Sequence, residues 1–268
     1  MKQQPPASEA VPALLESHGD RLYSLGVRFC GNHEEAEDLV QETFMLAYKN
    51  WDSFKGESSP ATWLYTIASR VCQRFHRKRS GEPDHVLSLN APGADLLPMG
   101  DELMAVVPGE DEGALADQVR RESRDAIEVA ITELPQDFRM PLVLKEVAGF
   151  SLIDIATIMG IPAATVKTRL HRARLRLRQA LESTLPKRAL PKLAYSRQVC
   201  LDLLQAKQET LDSGVAYQFP TGIICARCSE FFAGLDLAQD VCGELAQDRL
   251  PIGLRAKLLE QARLESCD

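Results

Sequence analysis

With 268 residues, of which 45% are hydrophobic, 26% charged and only 6% aromatic, the chain has a globular composition and room for two or three small domains rather than one large core. No apolar run approaches the roughly 20 residues that a membrane helix needs, and the start, MKQQPPASEAVP, lacks the basic-then-apolar pattern of a secretory signal. A cytoplasmic protein with no membrane partner is expected, under reducing conditions that disfavour structural disulfides. The net charge of −7 argues against indiscriminate nucleic-acid binding, but the charge is unevenly spread. No acid lies between Asp154 and Glu182, a stretch that holds Lys167, Arg169, Arg172, Arg174, Arg176 and Arg178, and a second basic cluster runs from Arg70 to Arg79. Two basic faces on an acidic molecule can meet phosphate locally.

From about Pro12 to Arg79 the pattern is helical. EEAEDLVQETFMLAYKNW puts Ala36, Leu39, Val40, Phe44, Ala47 and Tyr48 on one stripe and leaves Glu35, Asp38, Gln41 and Glu42 facing outwards. Asn32 is a good N-cap, with acids in the turn that follows. The loop DSFKGESSP leads into ATWLYTIASRVCQRFHRKR, a helix that begins amphipathic and ends basic. Residues 80–122 are rich in Gly, Pro and acids and keep no period, which predicts a flexible acidic linker.

Helical periodicity resumes at Glu122 and passes through DAIEVAITELP, QDFRMPLVLKEVAGF, SLIDIATIMGI and PAATVKTRLHRARLRLRQAL. Gly149 and Gly160 punctuate two ends, Ser151 and Asp154 start a short helix, and Pro162 suits a first helical turn. This is a helix-turn-helix with a long second helix. Val166, Leu170, Ala173, Leu177 and Leu181 form its buried stripe, which frees Thr165, Lys167, Thr168, Arg169, His171 and Arg172 for a DNA groove. After Pro186 and Pro191 a further helical tail carries Cys200, Cys225, Cys228, Cys242 and Cys267, five of the seven cysteines; Cys30 and Cys72 read as buried small hydrophobes.

In their order and spacing these segments resemble the extracytoplasmic-function sigma factors, the minimal promoter-specificity subunits of RNA polymerase. AEDLVQETFMLAY resembles the family's clamp-binding helix, SFKGESSPATWLYTIASRV its minus-ten reader, and LPQDFRMPLVLKEVAGFSLIDIATIMGIPAATVKTRLHRARLRLRQAL its minus-thirty-five reader. The resemblance covers roughly residues 15–185. It implies an all-α fold with region 2 in residues 1–80, an acidic linker in 81–121, region 4 in 122–185 and a cysteine-rich regulatory extension in 186–268. It also implies a transcription initiation factor rather than an enzyme, needing no cofactor for that activity, with core RNA polymerase (beta-prime clamp and beta flap) and promoter DNA as partners and an anti-sigma factor as a further one. Asp38, Gln41, Glu42 and Phe44 are then the polymerase-binding residues. Ser53, Lys55, Thr62 and Arg70 meet the opened minus-ten strand, and the recognition-helix residues named above meet duplex. Trp63 is expected to pack rather than touch DNA, and Tyr65 to stack or to hold its helix. Where the family often has IARN this chain has IASR, with Ser69 and Arg70, and Ala164 stands where Gly is common. The different-class alternative is a free-standing, dimeric helix-turn-helix regulator.

A Cys-x-x-Cys at a helix start can place two thiolates on one metal ion, and Cys200, one helix earlier, can add a third. The pattern is similar to the zinc-binding anti-sigma fold and to metal-responsive sigma factors, but Thr221 stands where that fold has a His. The fourth ligand is then Cys242, Cys267, a carboxylate or solvent, with Cys242 taken into the expected set and Zn, Cu(I) or Cd as the thiophilic metals. Reversible thiol oxidation and a static zinc site or plain buried cysteines that hold a small helical domain together are the competing readings.

Overall fold

The computed structural model describes residues 4–79, 104–106, 114–184, 187–189, 191–192, 194–215 and 222–264. Most of the expected linker, the side chains of Arg77, Lys78 and Arg79, and Cys267 lie outside the described residues. Among the described residues the fold is all-α apart from one short antiparallel ribbon, and the chain divides into two compact units. Among the described residues no helix is long and apolar enough to cross a membrane.

The first unit comprises residues 1–85, 143–163 and 245–268. It opens with α1 (Ala7–Cys30) and α2 (His33–Asn50), which Gly31 separates. At φ 80° Gly31 holds the left-handed turn that ends α1. The Asn32 side chain then accepts the Glu35 amide at 2.8 Å and starts α2, as its sequence position predicts. The two helices approach closely because Gly26 has no side chain: a Cβ there would lie 3.2 Å from Ala36 Cα and Cβ. A 3-10 turn, Trp51–Ser53, leads to α3 (Pro60–Arg79). Trp51, Phe54 and Trp63 pack their rings at centroid separations of 5.2–5.6 Å, so Trp63 packs as expected.

The same unit holds a π-turn, Val143–Val147, and α6 (Leu152–Met159). Ser151 caps α6 reciprocally with Asp154, accepting its amide at 3.2 Å and donating to its carboxylate at 2.6 Å. Gly160, left-handed at φ 65°, ends it. α6 packs on α3, where Phe150 meets Tyr65 edge-on at 4.6 Å and the Thr62 hydroxyl donates to Asp154 at 3.2 Å.

The end of the extension completes this unit with a 3-10 turn, Leu245–Gln247, and α10 (Ile252–Leu264). Ser24 donates to the Leu245 carbonyl at 2.7 Å, and buried Arg28 pairs with Asp248. Asp20 accepts the Leu250 amide at 3.0 Å and pairs with Arg255. Polar anchors along α1 therefore hold a segment that is at least 220 residues away in sequence.

The second unit comprises residues 86–142 and 164–244. β1 (Met104–Val106) lies inside the segment expected to be an unstructured linker and pairs antiparallel with β2 (Lys187–Ala189). α4 (Ala114–Glu133) starts eight residues before the expected Glu122, and α5 (Gln136–Leu142) follows. Gly/Pro content and lost periodicity identify a connection but say nothing of a strand whose partner is over 80 residues away. α7 (Ala163–Thr184) is the long second helix of the expected helix-turn-helix, and all five residues of its predicted apolar stripe are buried. The extension adds α8 (Arg197–Ser213) and α9 (Ala226–Glu244). Leu175, Leu203, Leu204, Leu211, Phe231, Phe232 and Leu235 close a core there with Cys200 and Cys228.

Candidate nucleic-acid interface and cysteine cluster

On α2 the outward face is present but partly engaged. Asp38 is exposed, Gln41 is half-buried, and half-buried Glu42 pairs with Arg74 of α3. Phe44 is 3% exposed and lines a small apolar pocket with Val11, Leu15 and Leu258. It is a packing residue rather than a polymerase contact, because the helical stripe that includes it faces the core.

The minus-ten side divides in the same way. Ser53, Lys55 and Arg70 are exposed, and Ser53 with Arg70 lines a cleft completed by Asn50, Trp63, Ile67 and Arg74. Thr62, expected on DNA, is 1% exposed and is held by Ser59 at 2.8 Å and by Asp154. Its hydroxyl is spent on the α3–α6 contact. Of the two departures from IARN, Ser69 is buried whereas Arg70 reaches solvent, so only Arg70 can alter what this face reads. Tyr65 is 1% exposed, its hydroxyl makes no hydrogen bond among the described residues, and burial raises its pKa. It holds the helix and does not stack on a base.

On α7 the expected duplex-reading residues separate into two groups. Thr165, Thr168, Arg169 and Arg172 lie on one side. Thr168 is exposed, Thr165 and Arg172 are half-buried, and Arg169 reaches Asp137 at 2.9 Å. Lys167 and His171 lie on the other side, beside Arg174 and Arg178, and turn towards the extension. Lys167 Nζ is 2.9 Å from Glu209, His171 Nε2 is 3.1 Å from Asp212, and Arg174 is 2.6 Å from Asp212 and 3.2 Å from Gln208. Burial raises the Asp212 pKa, but the His171 hydrogen bond and the Arg174 charge outweigh it and hold the carboxyl below its usual range. Arg178, 2% exposed, lies 3.8 Å over the Phe231 ring. Sequence reasoning left out Arg174, Arg178, Gln208, Glu209 and Asp212. The available signal was Gln208 and Asp212, four residues apart on a helix face otherwise made of Cys200, Leu204 and Leu211.

The cysteine cluster lies where α8 meets the start of α9. Cys225 precedes α9, and Cys228 occupies its first turn. Burial raises the Cys225 pKa, but hydrogen bonds from the Cys228 backbone and thiol and from the Ala194 and Arg227 backbones bring it below the ordinary value. Cys228 is buried, and that burial, with the neighbouring Cys225 and Cys200 thiols adding to it, pushes its pKa up to about 12. Among the described residues no group of three or more His, Cys, Asp or Glu is disposed to hold a metal ion. Cys242 drops out of the expected ligand set. It lies fourteen residues beyond Cys228 on the same helix, about 21 Å away at 1.5 Å per residue. Cys30 and Cys72 are buried, as expected of small hydrophobes.

A helical domain with an acidic-faced α2 and a basic-ended α3, together with a helix-turn-helix ending in a basic helix, defines a promoter-specificity factor of the sigma-70 type. Residues 14–82 match the family model "Sigma-70 region 2", and residues 124–177 match "Sigma-70, region 4". The chain is 37% identical over 175 residues to the ECF RNA polymerase sigma factor SigW of Bacillus subtilis, covering 65% of this chain and 89% of that protein. It is 32% identical over 176 residues to the RNA polymerase sigma-H factor of Pseudomonas aeruginosa, covering 66% and 88%. Among solved structures, the sigma factor RpoE in complex with the anti-sigma factor NepR from Bartonella quintana is 30% identical, with 63% of this chain and 94% of that one covered at a TM-score of 0.44. The chain belongs to the extracytoplasmic-function group of the sigma-70 family. Sigma factors are transcription initiation factors, not enzymes, and they bind core RNA polymerase and promoter DNA. A free-standing dimeric regulator is therefore the wrong class. The family models stop at residue 177, so the cysteine-bearing extension lies outside them.

Proposed function

We propose that this chain is a cytoplasmic sigma factor that engages the beta-prime clamp and beta flap of core RNA polymerase, and that thiol chemistry in its extension regulates it. The observation that carries the regulatory half is the packing of Cys228 and Cys200 in one core at the junction of α8 and α9, with Cys225 against it. Zn, Cu(I) or Cd would be held by Cys225, Cys228 and Cys200 as thiolates. The Cys225 thiol, already lowered by its helix-start hydrogen bonds, is the first to ionise. Buried Cys228 must give up its proton for a metal to enter, and the three thiols must draw closer than they now lie. A separate anti-sigma factor, expected from the family resemblance, is a further partner in this reading.

The second reading is a dithiol switch, favoured by the asymmetry of the pair: a half-buried, lowered Cys225 beside a buried, raised Cys228. A two-electron oxidant such as hydrogen peroxide would take two electrons and two protons from the pair, forming one S–S bond and two waters.

Run-off transcription with purified full-length chain and core polymerase, on the promoter upstream of its own coding sequence, separates the two readings. Output is measured with chelator, then with Zn, Cu and Cd under reducing conditions, then with peroxide. A metal-dependent change that Cys225→Ser and Cys228→Ser abolish supports the first reading, and a peroxide-dependent change reversed by dithiothreitol supports the second. Output indifferent to all of them refutes thiol regulation and leaves the sigma assignment intact.

A further inference from the structure

The basic face of α7 is occupied by another part of the same chain. Lys167, His171, Arg174 and Arg178 recur at intervals of four, three and four residues and so form a single stripe along the helix. All four meet the extension: three meet Gln208, Glu209 and Asp212 of α8, and Arg178 meets Phe231 of α9. The α8 residues present amide and carboxylate oxygens to these side chains at 2.6–3.2 Å, distances at which a phosphate oxygen would accept the same donors. The contact also excludes water, since the Arg174 and Asp212 side chains are only 4% and 5% exposed.

We propose that α8 is an internal phosphate mimic. Glu209 and Asp212 take the places on α7 that DNA backbone phosphates would take, so this side of the minus-thirty-five-reading helix is occluded in the free protein and α8 must leave before duplex gains these contacts, while Thr165, Thr168, Arg169 and Arg172 lie on the other side. The proposal rests on the assignment of α7 as the duplex-reading helix. The same cations cannot serve both partners, so full duplex affinity is reached only in the fraction of molecules in which α8 is undocked. Cys200, two turns before Gln208 on α8 and packed with Cys228 in the extension core, links the thiol cluster to this helix.

The test uses the full-length chain and a mixed-sequence duplex of roughly 20 base pairs, with affinity followed by fluorescence anisotropy over a salt series. The triple variant Gln208→Ala/Glu209→Ala/Asp212→Ala is expected to bind at least tenfold tighter than wild type, with a log-affinity against log-salt slope steeper by about two, because Lys167 and Arg174 become available to phosphate. Glu209→Gln alone, which removes the pair nearest solvent, is expected to steepen it by about one. Equal affinity and slope in wild type and triple variant, with Lys167→Ala weakening both, overturn the occlusion while the duplex-reading assignment survives. If Lys167→Ala and Arg169→Ala leave the binding of the triple variant unchanged, the assignment itself fails and the proposal falls with it. Amide hydrogen exchange of wild type guards against a triple variant that does not fold. Saturating duplex is expected to speed exchange along residues 200–212, and unchanged protection there with DNA bound overturns the proposal.

Discussion

Arg174 of α7 and Asp212 of α8 meet at 2.6 Å with side chains only 4% and 5% exposed, and His171 reaches the other carboxylate oxygen at 3.1 Å. This joins the helix that carries the promoter-reading motif to the extension that the family models leave out. A charge pair this far out of water is costly to break from one side, because the remaining ion stays buried.

Asp212→Ala is accordingly expected to cost about 3 kcal/mol in a urea unfolding curve, with Asp212→Asn costing less because it keeps an acceptor for Arg174. The pH dependence follows from the lowered pKa of Asp212. A carboxyl whose folded pKa lies below its unfolded value, ordinarily 3.8, stabilises fully above the unfolded value, and that stabilisation is lost as pH falls through the folded one. Wild type should therefore lose stability below about pH 4 more steeply than Asp212→Asn, and equal acid limbs would contradict the assignment.

Gly26 tests the closeness of α1 and α2. A Cβ there would lie 3.2 Å from the Ala36 backbone, which cannot swing aside as a side chain can. Gly26→Leu should cost about 1–3 kcal/mol through overpacking, visible as a lower thermal midpoint. The double variant with Ala36→Gly should recover part of the loss.

Tyr65 offers the opposite sign. Its hydroxyl is buried without a hydrogen bond among the described residues, so Tyr65→Phe should be neutral or stabilising by up to about 1 kcal/mol. It should leave minus-ten recognition unchanged if the ring serves only Phe150 and His18. A promoter-opening defect in a stably folded Tyr65→Phe would show that the hydroxyl meets DNA after all.

Thiol reactivity should follow the asymmetry of the pair. Iodoacetamide at pH 8 is expected to label Cys225 at least tenfold faster than Cys228, because the thiolate is the nucleophile and only Cys225 is lowered and half-exposed. Cys228→Ser removes the thiol next to Cys225 but keeps the backbone amide that Cys228 directs at it, so Cys225 should stay reactive. Peptide mapping of the alkylated chain reads both outcomes.

Local sequence determined most of the helices of both sigma regions, though not the start of α4, together with the caps at Asn32, Ser151 and Gly160 and the buried stripe from Val166 to Leu181, because each depends on residues within a turn or two of one another. The ordered run of motifs from Ala36 to Leu181 was likewise enough to indicate the family. Which faces are covered could not be read this way. Phe44 and Thr62 sit at positions where a family motif suggests contact with a partner, but Thr62 is turned inward by Asp154, 92 residues on. Lys167, His171 and Arg174 look like a solvent-facing basic stripe until α8 arrives with Gln208, Glu209 and Asp212. The strand Met104–Val106 and the anchors of Asp20, Ser24 and Arg28 depend in the same way on distant partners. Local sequence specifies which way a helix presents its residues, but only tertiary packing decides whether water, DNA or another helix of the same chain meets them.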